Sequence, residues 1–416
     1  MNMTGRVFLF SALILASFSN TSWSGPIPNR LLVQSPPWRL ASQLAGLSTQ
    51  AGALSVVSDL GHGWSLVRYS TSLPPRAAAK ELSFLAQHVH PDFEVTVPSM
   101  TQKARDPFQF FQILDLDTAT EELKDLWGMQ KIQAPDAWSK LRGSHKVLVA
   151  NIDTGVDYLH EDLRANISEV PGYDFANKDA DPMDDQGHGT HTAGTIGAVG
   201  GNGLGVSGVS PVVSLLPVKF LSASGGGTLS DAVLAIDYSV EKGARILSNS
   251  WGGEAESVAE VQILVDAVER AAKADVLFVA AAGNSGTDND EKPVFPAAIQ
   301  LPNVLTVASS NPRDQRSFFS NYGAQSVHVA APGSSIVSTL PGNKYGPNSG
   351  TSMACPHVAG LAALVLAAQP SLKAVEVKQM ILESVDPLPA LQGKIQTGGR
   401  INAVRTINRA MGLGDE

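Results

Sequence analysis

The sequence has 416 residues, 43% of them hydrophobic and 17% charged, with 38 Gly, 25 Pro and a mean hydropathy of +0.02, a globular composition that excludes fibrous, coiled-coil and wholly disordered chains. Thirty basic against 39 acidic residues leave a net charge of −9, so the chain offers no basic field for nucleic acid. The single cysteine, Cys355, excludes an intramolecular disulfide framework and a Cys-rich zinc module.

In chain order, the N-terminus carries one positive charge, Arg6, ahead of an apolar run over residues 7–18. That run is shorter than the roughly 20 residues needed to cross a bilayer, and small residues at Ser22 and Ser24 precede Gly25. Residues 1–24 therefore read as a secretory signal, and the chain is expected outside the cytoplasm, extracellular or periplasmic. No other apolar run is expected to span a membrane, so no membrane contact is expected once the signal is removed.

Residues 25–100 hold five basic and four acidic groups, a net +1. Their short apolar and β-branched runs at 31–34, 55–57, 65–69 and 95–97, with a helical stretch over 76–88, predict a small α+β module. A polar stretch broken by Pro98 marks its end. Residues 101–126 read as a linker or an N-terminal extension, and residues 127–416 as a second domain. Together residues 101–416 hold 24 basic and 35 acidic groups, a net −11.

From about residue 145 strands alternate with helices. Strands are predicted over 147–152, 212–219, 245–248, 276–282 and 304–308, and helices over 228–242 and 257–273. The first helix has Leu229, Val233, Ile236 and Val240 at helical spacing and Gly243 as a stop. This order predicts an α/β fold, a doubly wound, mostly parallel sheet with helices on both faces, whose ligand site lies at the carboxyl ends of the strands.

Three motifs stand at such places. Asp153-Thr154-Gly155 ends the first strand, His188 lies between Gly187 and Gly189 at a helix start, and Ser352 opens an apolar helix running to about residue 368. Taken singly they would be a turn former, a packed histidine and an N-cap. Taken together, in the order Asp, His, Ser and each in a glycine-rich setting, they supply the nucleophile, base and orienting carboxylate of acyl transfer. A serine at a helix N-terminus also meets free backbone N–H groups that can hold an oxyanion. Two alternatives fail on spacing. His188 and His191 lack the intervening Glu of H-E-x-x-H, and Gly350-Thr351-Ser352-Met353-Ala354 is not G-x-S-x-G. His191, Cys355 and His357 are expected in the core.

These three motifs, together with Ala281-Ala282-Gly283-Asn284 and Ala330-Ala331-Pro332-Gly333, closely resemble the signatures of the subtilisin-like serine proteases, over most of the chain from about Trp127 onward. The resemblance implies Asp153 as orienting carboxylate, His188 as general base then acid, Ser352 as nucleophile and Asn284 as oxyanion donor. It implies that Gly225, Gly226 and Gly227 on one side, and Ser250, Trp251 and Gly252 on the other, flank an extended substrate. Trp251 exceeds the usual residue there and is expected to narrow or reshape the pocket wall. Asp288, Asp290 and Glu291 would either favour basic side chains or form a solvated loop. Asp162 and Asn202, the latter in a glycine-rich loop over 199–206, are implied ligands of a structural Ca2+, with no catalytic metal or organic cofactor. Residues 25–100 would be an inhibitory, folding-assisting propeptide.

The implied function is a secreted serine endopeptidase, made as a self-processing zymogen and monomeric, whose partners are protein or peptide substrates and its own propeptide. Two rival classes remain. A catalytically silent binding protein of the same family would need a lost triad member, and none is lost. An acyl hydrolase acting on non-peptide esters would be separated by comparing casein with short-chain esters.

Overall fold

The computed structural model describes residues 25–44, 47, 49–97 and 126–414; the proposed signal, and all of the 101–126 segment but its last residue, lie outside the described residues. The first module consists of β1 (Pro26–Val33), α1 (Pro37–Leu44), β2 (Leu54–Gly61), β3 (Trp64–Tyr69), α2 (Pro75–Glu81) and β4 (Val89–Thr96). Its strands lie in the order β2-β3-β1-β4, antiparallel throughout. The period-2 alternation of a strand splits its side chains between two cores. Leu31 and Val33 pack with Leu40 of α1 and Ala78 of α2, whereas Leu32, Leu66, Phe93 and Val95 join the core of the second domain.

Two features of this module differ from the sequence expectation. α1 was not among the expected elements; Pro37 occupies its first helical position, where a missing N–H costs nothing. The helix expected over 76–88 stops at Glu81, since the chain must extend by Val89 to pair β4 with β1.

The second domain runs α3 (Trp127–Lys131), α4 (Ala134–Trp138), β5 (Gly143–Asp153), β6 (Tyr173–Asp174), α5 (His188–Gly197), β7 (Val212–Lys219), β8 (Gly226–Thr228), α6 (Leu229–Glu241), β9 (Ile246–Asn249), β10 (Gly253–Glu254), α7 (Gln262–Lys273), β11 (Leu277–Ala281), β12 (Val294–Phe295), β13 (Val304–Ser310) and β14 (Val329–Pro332). It ends with β15 (Ile336–Leu340), β16 (Lys344–Asn348), α8 (Thr351–Ala368), α9 (Ala374–Glu383), β17 (Asp386–Pro387), β18 (Gly399–Arg400) and α10 (Ala403–Ala410). The central sheet has the order β17-β18-β14-β13-β11-β9-β5-β7-β6 and is parallel except at β17–β18. The predicted doubly wound α/β architecture is the one observed.

Both faces of β5 are buried. Val147 and Val149 pack with α5 and α8, and Ala150 and Ile152 with α6 and α7. This is why the strand reads as a near-continuous apolar run rather than an alternating one. α8 has the length and apolarity of a membrane-spanning helix, contrary to the expectation that no such run existed past the signal, but it is almost wholly buried as the core helix of this face. Its Gly360 lies so close to α5 that an added Cβ would stand 2.8 Å from the Ile196 carbonyl oxygen. From β5 the chain winds to β7 on one side and later to β9 on the other, which opens a crevice at their carboxyl ends.

Candidate active site

Asp153 is the last residue of β5, and its carboxylate is fully buried. The backbone N–H of Thr154 donates to Oδ1 at 2.7 Å and the Thr192 hydroxyl to Oδ2 at 3.2 Å. His188 is the first residue of α5, placed there by Gly187 at φ 107°, a left-handed conformation that glycine adopts without strain. Its Nδ1 lies 2.7 Å from Asp153 Oδ1. The carboxylate can only accept, so Nδ1 carries the proton and Nε2 keeps its lone pair. Burial disfavours the imidazolium, but the charge of Asp153 and its hydrogen bond outweigh that, with Asp184 adding to them, and the pKa of His188 is raised. Nε2 is buried and, among the described residues, makes no hydrogen bond.

Ser352 is the second residue of α8. Pro356 lies four positions on and has no N–H, so it leaves the Ser352 carbonyl without its helical donor. Ser250, just past β9, takes that place. Its hydroxyl donates to the Ser352 carbonyl at 3.0 Å, and its own carbonyl accepts the Ser352 hydroxyl at 3.2 Å. The nucleophile candidate therefore rests against Ser250 rather than on His188, and a turn about its Cα–Cβ bond is needed to engage the base. Catalytic hydrogen bonds of this kind often form only with substrate bound.

Asn284 follows β11. Thr351 donates to its Oδ1 through both the backbone N–H and the hydroxyl, each at 2.9 Å. Two donors on one oxygen fix the amide orientation and turn Nδ2 toward Gly350, where an added Cβ would lie 3.1 Å from it. The amide thus faces the entrance of α8, beside Ser352.

The glycine segments meet a partner within the chain. β4 pairs antiparallel with β8, with Val95 opposite Gly227 and Thr96 opposite Gly226, and the Val97 N–H donates to the Gly225 carbonyl at 3.0 Å. On the other side Thr96 and Gly252 exchange both backbone hydrogen bonds at 3.0 Å. A strand of the first module is thus held between the two segments named from sequence. Trp251 lies in the wall beneath this strand. Its ring is fully buried, packs edge-on against Phe220 at 5.0 Å and shares a core with Phe93 and Val95, so it underlies the strand rather than projecting into open space.

The remaining expectations are met less directly. Asp162 and Asn202 do come together, but as a hydrogen-bonded pair. Asn202 Nδ2 donates to Asp162 Oδ1 at 2.7 Å, the Val206 N–H to Oδ2 at 2.9 Å, and the Leu204 N–H to Asn202 Oδ1 at 2.9 Å. Their donor chemistry suits a hard cation, yet protein donors engage these oxygens, and among the described residues no cluster of three or more His, Cys, Asp or Glu is placed to hold a metal. As arranged, this pair does not fit a calcium ion. Asp290 is exposed, in keeping with the solvated-loop alternative, but anchored: it accepts the N–H groups of Gln325 and Ser326 and the Ser326 hydroxyl. Those bonds outweigh its modest desolvation and hold its carboxyl below the usual range. His191, Cys355 and His357 are fully buried, as expected.

Several residues that build the site were missed in the sequence. Lys219 Nζ bridges the carbonyls of Thr154 and Leu221 and the Asp185 carboxylate. Asp92 of β4 accepts from Arg30 and from the N–H and hydroxyl of Ser230 at the start of α6. Burial raises its pKa to about 6 against the opposing effect of Arg30. Only an acid ahead of His188, Asp184, carried a usable signal, as a helix-capping residue type just before a helix start.

Residues 144–414 match the subtilase family. The chain is 40% identical over 281 residues to a thermophilic serine proteinase of Bacillus sp. (strain AK1), covering 68% of this chain and 66% of that protein. It is likewise 40% identical over 281 residues to thermitase of Thermoactinomyces vulgaris, covering 68% of this chain and 95% of that protein. Subtilisin DY of Bacillus licheniformis is 38% identical over 256 residues, 61% of this chain and 89% of that one. With the fold, this match establishes that the chain belongs to the subtilase family of subtilisin-like serine proteases.

Proposed function

We propose that the chain is the precursor of a secreted serine endopeptidase that is held inactive by its own N-terminal module and matures by self-cleavage. In this mechanism Ser352 Oγ attacks the substrate carbonyl carbon while His188 Nε2 takes its proton, and Asp153 holds the imidazole and stabilises the imidazolium. The oxyanion is met by Asn284 Nδ2 and the Ser352 N–H. Collapse breaks the peptide bond, His188 gives its proton to the leaving amine, and water then cleaves the acyl-enzyme by the same route. The antiparallel pairing of Val95 with Gly227 and the hydrogen bonds of Thr96 with Gly252 and of Val97 with Gly225 carry this proposal. They are main-chain bonds, indifferent to side chains, and therefore equally available to a substrate strand.

The isolated module is expected to inhibit the mature protease in trans, and Gly225→Val to weaken that inhibition about 10- to 100-fold, because a Cβ at Gly225 would stand 2.8 Å from Val97 Cγ2. Inhibition constants for the two proteases test this, and absence of inhibition at a large molar excess would refute the zymogen reading. Mass spectrometry of the secreted N-terminus, expected beyond Val97, locates the processing cleavage, and that of the uncut Ser352→Ala precursor locates the signal cleavage.

No catalytic or folding step is assigned to calcium. Asp162→Ala is expected to lower the melting temperature by roughly 5–10 °C with or without a chelator, through loss of two hydrogen bonds to a buried carboxylate. Scans in both conditions check this; a loss seen only in calcium would identify an ion instead.

A further inference from the structure

We propose that Asp184 is a positioning residue of the catalytic centre, a second buried carboxylate that locks the Asp153 turn and the His188 helix into one register. The proposal rests on the triad assignment above. Asp184 is 5% exposed and stands four residues before His188. Its Oδ1 accepts the N–H groups of Gln186 at 3.0 Å and Gly187 at 2.8 Å and the hydroxyl of Thr154 at 2.9 Å. Its Oδ2 accepts both the N–H of Thr190 at 2.8 Å and the Thr190 hydroxyl at 2.6 Å.

These donors come from three separate pieces of backbone: the turn after β5, the loop before α5 and the first turn of α5. Thr154 is the residue after Asp153, and Thr190 is two residues past His188. The two threonines extend the linkage. The Thr154 hydroxyl accepts the Gly189 N–H at 2.8 Å, and the Thr190 hydroxyl accepts the Asp157 N–H at 2.9 Å. The 2.7 Å contact between Asp153 and His188 spans β5 and α5, so its geometry depends on how these two elements are held. Asp184 also meets the free N–H groups at the start of α5, a task that Gly187, lacking a side chain, cannot perform. All five groups facing Asp184 donate, so only the ionised carboxylate satisfies them; an amide would turn its NH2 toward donors.

The charged and titratable groups around His188 are few. Asp153 faces it from β5 and Asp184 from the preceding loop. His191 on its own helix is held neutral by burial, its pKa pushed down to about 3. Asp185 is paired with Lys219 of β7 at 2.7 Å. Removing the negative charge of Asp184 therefore lowers the pKa of His188. Peptide hydrolysis needs the neutral imidazole and rises with pH as His188 loses its proton, so the acidic limb of kcat/KM moves to lower pH.

The test compares Asp184→Asn and Asp184→Glu. Kinetics are measured on active-site-titrated mature enzyme with a peptide substrate, and His188 is titrated by NMR in the uncleaved Ser352→Ala background. For Asp184→Asn the expected result is a kcat lower by about 10- to 100-fold, little change in KM and an acidic limb displaced downward. Asp184→Glu keeps the charge but misplaces it, so kcat falls while the limb stays. The NMR titration reads the same displacement even where a variant does not mature. Both variants retaining kcat within twofold, or a His188 titration unchanged by Asp184→Asn, overturns the proposal. An active Ser352→Ala protein would instead sink the triad assignment on which it rests.

Discussion

Ser352→Ala is expected to reduce peptide hydrolysis by about six orders of magnitude, the size measured for the triad serine of a subtilisin, and to leave the precursor uncut. Both effects follow from one hydroxyl. The chain holds its own strand β4 against β8, the edge that the proposed function assigns to a substrate, so on that proposal the first bond to be cleaved lies in the same polypeptide. The fold should survive the change, because among the described residues the Ser352 hydroxyl makes one hydrogen bond, 3.2 Å to the Ser250 carbonyl, while the bond from the Ser250 hydroxyl to the Ser352 carbonyl is retained. Gel analysis of the purified variant, with casein hydrolysis measured in parallel, decides the matter. Normal maturation in a protease-free host would mean that another group performs the cleavage.

Asn284→Leu is expected to lower kcat by roughly 10²- to 10³-fold with little change in KM, the range found for the oxyanion-hole asparagine of a subtilisin. The amide donor is oriented before substrate arrives, since Thr351 occupies Oδ1 twice and leaves Nδ2 directed at the approach to Ser352. A donor aimed at charge that exists only in the transition state affects kcat and not ground-state binding. Leucine is close in volume, but it leaves the Thr351 N–H and hydroxyl without their acceptor, so some loss of stability should accompany the kinetic effect. Steady-state kinetics with a chromogenic peptide separate the two. A rise in KM alone would make Asn284 a ground-state contact.

The alternation of strand and helix, the parallel sheet and the three glycine-framed motifs were legible in the amino-acid order, because each is a local pattern. A run buried on both faces is apolar throughout, a helix start needs its cap and stop, and a residue at a sharp strand exit needs a flanking glycine. The same local logic identified Asp153, His188 and Ser352 as candidates, whereas Asn284 came only from the family resemblance. It gave no sign of α1, which Pro37 opens, while the apolar helix expected from Ser352 to about residue 368 is α8, a buried core helix.

Whatever depends on which distant donor reaches which acceptor was decided only by the tertiary structure. Asp162 and Asn202, 40 residues apart, satisfy each other instead of jointly facing an ion. Asp290, read as a charge run, spends its carboxylate on the turn at Gln325 and Ser326. Trp251 is turned beneath the docked strand by packing against Phe220. Asp184, which the sequence marks only as a capping residue type ahead of a helix start, gathers five donors from three segments. Local spacing determines which groups stand at the ends of strands and helices, but the hydrogen-bond demand of buried polar atoms is met across the chain, and only the folded arrangement assigns those partners.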